Sequence, residues 1–384
     1  MDNYDAIIIG AGLAGLQCAR LLGKRGHSVL LVDRKSSLDQ SIHTTGIFVR
    51  RTLEDFDIPE DCLGPPVRHV KLYSPLRREL ELVSEHDEFR IGRMGRLYNR
   101  YLNQCLRAGV RWLPETRYVD HVLDKEGLIV HLSCGTIARS VKARYLIGAD
   151  GAQSRVARNL QLDLNREWIV GVENVLTGAC LEGPPRLLCF LDPKFAPGYI
   201  AWLAHDGEET HIGVGGYAYL FDPASALEQF QASLSQFVDL RHAQQIERRG
   251  GRIPVGGVLS NIANRHGLLI GDAAGAVSPL TAGGLDPCMR LSTFAARVVA
   301  EYLARENSEV LTAYSGQLFR SRFTSRLWAR RVANSFRHPA LMELACAGLR
   351  LPILRDLAGH VFFGRGSFPD VEMELTTQVG ALEV

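Results

Sequence analysis

The chain lacks most features that would place it in a specialised class. Among its 384 residues no apolar run approaches the roughly 18 that a membrane span needs. Its 44 Lys+Arg nearly balance 42 Asp+Glu, for a net charge of +2, so no field of one sign points to nucleic acid or a strongly anionic partner. There is no Cys-x-x-C and no histidine pair at metal spacing, which leaves neither a disulfide framework nor a metal site to expect. The eight cysteines (Cys18, Cys62, Cys105, Cys134, Cys180, Cys189, Cys288 and Cys346) are expected to be reduced core thiols. Internal repeats and low-complexity linkers are absent too, so any lobes should be interleaved and not strung in series. The start, Met1-Asp2-Asn3-Tyr4-Asp5, is acidic and unlike a signal peptide, and the expected location is cytoplasmic. What remains is 46% hydrophobic and 22% charged, the balance of a globular protein with a large core.

Three glycine-bearing segments stand out against this background. Residues 5–9 are an apolar run that reads as a buried parallel strand. It leads into Gly10-Ala11-Gly12-Leu13-Ala14-Gly15, then a helix expected over 13–25, then a second strand ending at Asp33. Gly10 allows a tight turn, Gly12 lets backbone approach a pyrophosphate, and Gly15 lets helix and strand pack closely. The helix N-terminus offers free N–H donors to phosphate. Asp33 lies 18 residues beyond Gly15, where a carboxylate can accept ribose hydroxyls. The second segment, Gly148-Ala149-Asp150-Gly151, again follows an apolar strand. The third is Gly271-Asp272-Ala273-Ala274-Gly275, running on to Gly283-Gly284-Leu285. Its acid can bind a polyhydroxylated chain, and backbone N–H groups from Gly283 to Leu285 can meet a ring carbonyl.

Elsewhere the pattern predicts strands at 67–74 and 79–83, a helix near 97–108, and a meander over 117–148. Short strands between Gly and Pro clusters over 168–216 predict an antiparallel sheet. A helix is expected over 223–238, a return strand after it, and mainly helix from 285 to 364.

This ordered set resembles the flavoprotein superfamily of para-hydroxybenzoate hydroxylase, and residues 271–285 (GDAAGAVSPLTAGGL) most resemble its geranylgeranyl reductase branch. Lys71 to Pro75, Arg93, Arg252-Ile253-Pro254 and the stretch from Pro197 to Gly215 agree with that branch. The resemblance implies an α/β fold: a Rossmann-like FAD-binding domain (glutathione reductase type 2), an antiparallel-sheet substrate domain and a helical C-terminal extension. The expected division is 1–65, 86–165 and 250–300 for FAD, 66–85 and 166–249 for substrate, and 301–384 for the helical region. It further implies non-covalent FAD, with Gly10, Gly12, Ala14 and Gly15 at the pyrophosphate and Asp33 with Arg34 at the AMP ribose. Arg93 would contact FAD from its helix entrance, Asp272 would bind the ribityl chain, and Gly283, Gly284 and Leu285 would flank the ring. Asp150 with Gly151 would mark a corner that also serves a transient NAD(P)H donor.

Two segments differ from the reductase branch. His43-Thr44-Thr45-Gly46 stands where those enzymes carry a Cys-Gly pair facing the flavin. Tyr199-Ile200-Ala201-Trp202-Leu203-Ala204-His205 stands where they carry a Tyr-x-Trp-x-Phe-Pro-Lys-like strand. His43, Tyr199 and Trp202 are therefore the candidate catalytic-site residues, with His205 and His211 as further acid–base candidates. Strand alternation lets only one of Trp202 and His205 face a cavity, and Trp202 is expected there. The expected reaction is reduction or dehydrogenation of an apolar, isoprenoid-like substrate by hydride transfer through flavin N5, with NAD(P)H or a reduced carrier as donor. The alternatives are an NAD(P)H-dependent aromatic hydroxylase and a flavin-bearing electron-transfer or sensor protein. A halogenase is disfavoured by the lack of a Trp-x-Trp-x-Ile-Pro segment. Six arginines from Arg320 to Arg337, with no acid between Val310 and Met342, suggest a solvated helix face, or a contact for an acidic electron carrier or a membrane. The apolar residues of 341–363 suggest a cap over a cavity, or core.

Overall fold

The structure is a computed structural model that describes residues 1–125, 127–179 and 181–364; Cys180 and residues 365–384 of the expected helical region lie outside the described residues. Among the described residues the strands form two large sheets and one small pair. In the first sheet Asn3–Ile9 is central. It pairs in parallel with Ile137–Gly148 on one side and Val29–Val32 on the other. Gly267–Leu269 and Arg111–Leu113 extend the parallel core outward on the two sides.

The strand Ile137–Gly148 shows how sequence texture reports its surroundings. Up to Ala143 it pairs antiparallel with Gly127–Cys134, and from Lys142 onward it pairs in parallel with Asn3–Ile9. Burial alternates over the first stretch and becomes continuous over Tyr145–Gly148. That switch is expected where a sheet passes from one covered face to two. Helix Leu13–Lys24 packs against helices Met94–Arg107 and Leu285–Arg305. Gly26, at φ +84°, takes the left-handed turn that ends it.

The second sheet runs in the order Gln244–Pro254, Trp168–Thr177, Thr210–Gly216, Ala201–His205, Arg186–Phe190, His69–Tyr73 and Glu79–Val83. It is antiparallel except where Arg186–Phe190 meets His69–Tyr73 in parallel. Helix Pro223–Ala232, shorter than the expected 223–238, covers one face through Leu227 and Phe230, which meet Phe190, Leu203, Ile212 and Val214. Burying a side chain such as Phe230 contributes about 1.5–3 kcal/mol. The opposite face carries Trp202, Ala204, Glu173 and His211, so residue parity along each strand decides which side chains look toward the first sheet.

The tail is helical as expected, and among the described residues no helix is long and apolar enough to cross a membrane. The arginine run is not one solvated face. Arg320 donates to the Gly256 and Val258 carbonyls, and Arg330 is buried against Tyr217 and the Pro279 carbonyl. Arg326 is half-buried on Ser278, leaving Arg322, Arg331 and Arg337 exposed. Helical period 3.6 turns alternate arginines inward, which a count of charges does not register. Of the cysteines, Cys18, Cys62, Cys105, Cys189 and Cys288 are buried free thiols, but Cys134 is exposed at a hairpin end and Cys346 is half-buried.

A Cβ at Gly15 would overlap the carbonyl oxygen of Gly10. Gly15→Ala should therefore cost about 1–3 kcal/mol, the range for overpacking, and lower the apparent melting temperature of the purified protein. An unchanged melting curve would show that helix and strand are not in the contact described.

Candidate functional site

Four strand ends are stitched together where the glycine segments emerge. Gly10 N donates to the Val32 carbonyl (2.8 Å), Ala149 N to Ile9 (2.8 Å) and Ile270 N to Gly148 (2.9 Å). Beyond these bonds each chain leaves the sheet through a different segment, so Asp33, Asp150 and Asp272 all stand at carboxyl ends of neighbouring parallel strands. Ligands of such sheets bind there. Gly10 has φ +106°, and a Cβ on it would overlap the Ala149 carbonyl. Gly12 is the reverse case, because a Cβ there would meet nothing within 4 Å. Open space therefore lies over the uncapped start of helix Leu13–Lys24.

Asp33 accepts from Ala11 N at 2.6 Å and from Lys35 N at 2.9 Å, which fixes its carboxylate against the glycine loop, while Arg34 is exposed beside it. A Cβ at Gly271 would lie 2.9 Å from the Ala14 methyl, so the first and third segments touch. The Asp272 carboxylate accepts no hydrogen bond among the described residues, and burial pushes its pKa up to about 6. Asp150 receives Arg155 N (2.7 Å) and Val156 N (3.1 Å) on one oxygen. Its other oxygen is buried without a partner, and burial raises its pKa. A buried acceptor left without a donor, as at Asp150, is costly, and Asp272 is half-buried; the hydroxyl-rich arm of a dinucleotide would supply donors to both.

The segment 278–284 follows. Ala282 holds a left-handed φ of +51°, a strained conformation for a residue with a Cβ. It is held by Tyr199 Oη on the Thr281 carbonyl (2.7 Å), Arg330 on Pro279 (2.9 Å) and Arg326 on Ser278 Oγ (3.2 Å). Gly284 then opens helix Leu285–Arg305 without a side-chain cap, leaving backbone N–H groups free. Cys288, one turn in, has its thiol pKa raised by burial, which keeps it protonated and unreactive. Arg93 is committed elsewhere. Its Nη atoms reach the Leu63 and Asp206 carbonyls, both at 3.3 Å, and Glu208, and its Nε is buried without a partner.

Across from this segment lies the second sheet. Register puts Trp202, Gly213, Glu173 and Arg249 on one rung of four adjacent strands. Trp202 lies across Gly213, where a Cβ would overlap its ring, and its Nε1 donates to Glu173 at 2.8 Å. Tyr199, in the turn just before the strand, covers Gly215, whose Cβ would come within 2.7 Å of its ring. His205 points the other way, with Ala201 and Leu203, and bonds Thr210. Of the two, Trp202 is the one on the face toward the first sheet.

The loop holding His43 is clamped to this face. Thr45 Oγ1 donates to Glu173, Arg249 to the Thr44 carbonyl, and Ile42 N to Glu247. His43 Nδ1 lies 2.8 Å from the Gly250 carbonyl. That acceptor requires the proton on Nδ1, and since burial lowers the His43 pKa, a neutral ring leaves Nε2 as an acceptor. Sequence reading missed Glu173, which sits in no motif. Only its parity with Trp202's rung, set by antiparallel register, could have flagged it.

His211, 1% exposed, bridges Glu173 (3.1 Å) and Asp206 (3.5 Å). Burial alone would lower its pKa, but the two carboxylates outweigh burial and hold it up at about 9. Glu173 is held below its ordinary value: burial opposes this, and His211, Thr45 and Trp202 overcome it. A raised folded pKa stabilises fully below the unfolded value of 6.5, and that stability is lost as pH rises through about 9. His211→Gln should therefore destabilise most near pH 6 and progressively less toward about pH 9.5, read from urea midpoints. A destabilisation that grows with pH would mean the imidazole is neutral in the fold.

A family model described as FAD dependent oxidoreductase matches residues 5–92. Digeranylgeranylglycerophospholipid reductase 1 of Methanococcoides burtonii is 24% identical over 319 residues, covering 80% of this chain and 76% of that protein. Digeranylgeranylglycerophospholipid reductase 2 of Methanopyrus kandleri is 27% identical over 378 residues and 93% of each. A geranylgeranyl bacteriochlorophyll reductase-like protein from Thermoplasma acidophilum superposes with a TM-score of 0.82 at 18% identity, over 98% of this chain and 99% of that one. A flavin-dependent brominase superposes at 0.69 and 16% identity over 99% of both chains, so the fold extends beyond reductases. With the family model on its dinucleotide loop and named reductases similar along its length, this chain is an FAD-dependent oxidoreductase.

Proposed function

We propose that the chain reduces carbon–carbon double bonds of an isoprenoid lipid held between the strand-end segments and the Trp202 face of the second sheet. The observation that carries this reading is the glycine floor beneath two aromatic rings. Gly213 and Gly215 let Trp202 and Tyr199 pack close over the sheet, and Tyr199 reaches the Thr281 carbonyl of the 278–284 segment, so the two rings line this side of the site. The reductase names of relatives that match four fifths or more of the chain support the substrate class.

FAD fits the residues present. Gly10, Gly12, Ala14 and Gly15 would take its pyrophosphate in the open space at the helix start, and Asp33 with Arg34 its adenosine ribose. Asp272, with Asp150 beside it, would receive hydroxyl donors, and the N–H groups of Gly283, Gly284 and Leu285 would meet the ring. Bound there, FAD would supply hydride-transfer chemistry, recharged by a hydride from NADPH or NADH, or by two electrons from a reduced carrier protein with a proton from solvent. Trp202 and Tyr199 orient the chain of the substrate and exclude water. His43, whose Nε2 is an acceptor, would exchange the second hydrogen as a proton with solvent. Arg93 acts by holding the loop at Leu63 against the turn at Asp206.

Anaerobic incubation of the FAD-loaded protein with NADPH, NADH or a reduced ferredoxin and a digeranylgeranyl glycerol ether tests the reading. Mass spectrometry should show two hydrogens gained per reduced double bond, and His43→Ala should slow this while FAD stays bound. Oxygen incorporated into an aromatic substrate in air, with no anaerobic gain, would assign a monooxygenase instead. Tight FAD with no product under either condition would leave an electron-transfer or sensor role.

A further inference from the structure

The last two described helices are apolar on both sides. Pro339–Gly348 and Pro352–Phe363 meet where Leu354 approaches Gly348, at 3.6 Å from its Cβ position. Their inner sides hold the protein: Ala358, Phe362, Phe363 and Leu349 join the cluster of Val70, Leu72, Leu187 and Ala204. Arg350 and Arg355 donate to the Glu79 and Glu81 carbonyls of the edge strand Glu79–Val83. The outer sides should then be polar, and they are not. Leu344 is 71% exposed and Ile353 82%, with Leu341, Leu351 and Leu357 exposed beside them. One helix earlier Trp328 is 66% exposed, with Val332 one turn on. A helix apolar all round belongs in a core or at a lipid boundary, and exposed patches of this kind mark binding surfaces.

The charge around the patch says what covers it. From Arg320 to Gly364 there are eight arginines and only two acids, Glu343 and Asp356. Glu343 is engaged by Leu76 N and Arg78. A second copy of this chain would bring arginine against arginine across a two-fold interface. An acidic carrier protein would satisfy the arginines but leave Ile353 and Leu344 projecting at polar surface. A bilayer with anionic headgroups answers both, with leucines below the phosphates and arginines level with them.

We propose that this helical tail seats the protein on the surface of an anionic lipid bilayer, Leu344, Ile353 and Trp328 entering the acyl boundary and Arg331 and Arg337 meeting phosphates. This rests on the lipid-reductase reading and deepens it by placing where the substrate is met. The inner cluster beneath helix Pro352–Phe363 includes Ala204, two residues along the same sheet face from Trp202, so the docked helices and the Trp202 ring share one face of the second sheet.

Sedimentation of the FAD-loaded full chain with vesicles tests the surface without requiring turnover. Wild type should bind phosphatidylcholine vesicles containing phosphatidylglycerol and bind pure phosphatidylcholine far less. The double variant Leu344→Ser, Ile353→Ser should lose about tenfold or more of that affinity. Arg331→Ser with Arg337→Ser should weaken binding to the anionic vesicles only. All four positions are exposed, so unchanged flavin absorbance and circular dichroism check the fold. Failure of wild type to bind, or equal binding by the leucine–isoleucine variant, would overturn the proposal. So would a variant that shifts a dimer to monomer on gel filtration without vesicle binding by wild type, which would assign the patch to a second copy. Vesicle binding without prenyl reduction would leave the surface standing and refute only the reductase reading.

Discussion

Gly10, Gly15 and Ala149 are packed backbone on backbone, with no room for a Cβ at either glycine. The rest of the candidate site depends on that contact. It brings helix Leu13–Lys24 down onto the parallel strands, which lets Ala14 reach Gly271 and lets the bonds from Gly10, Ala149 and Ile270 close across four strand ends. Three acids from distant parts of the chain then stand at the ends of the parallel strands of one sheet. Their differing environments follow from the same geometry: Asp33 is satisfied by the loop, Asp150 half satisfied, and Asp272 left without donors.

The second sheet is tied to this frame by charge where the first is tied by close packing. Glu173, buried, gathers Thr45, Trp202 and His211, and Arg249 adds a bond to the Thr44 carbonyl. An ionised carboxylate at such depth is tolerated only when it is fully partnered. Its partners come from the loop 42–46, from the aromatic wall and from the His211–Asp206 pair, so loosening any one of them disturbs the loop and the wall together. The clamp fixes the His43 loop against the Trp202 face.

What could be read from the sequence was what is local. A strand, a glycine turn and a terminal acid are contiguous signals, so the parallel core and the positions of Asp33, Asp150 and Asp272 could be anticipated. Residue parity was enough to separate Trp202 from His205. The Glu173 cluster could not be anticipated, because it is assembled by register across four strands and by a loop some 130 residues away in the chain. Charge counts misled over Arg320–Arg337, where three of the arginines are turned into the protein to hold backbone or a hydroxyl. Apolar spacing told only half over 341–363: Leu349, Phe362 and Phe363 pack on the core while Leu344 and Ile353 meet solvent, and the same pattern fits both.

In the proposed reading the three glycine-bearing segments form one FAD site facing the aromatic wall. A crystal structure of the protein with FAD bound measures this directly. The pyrophosphate should lie over Gly12, the ribityl hydroxyls within hydrogen-bond reach of Asp272, and the ring between Gly283–Leu285 and Trp202. A ring lying outside that gap, with Trp202 beyond contact, would contradict it.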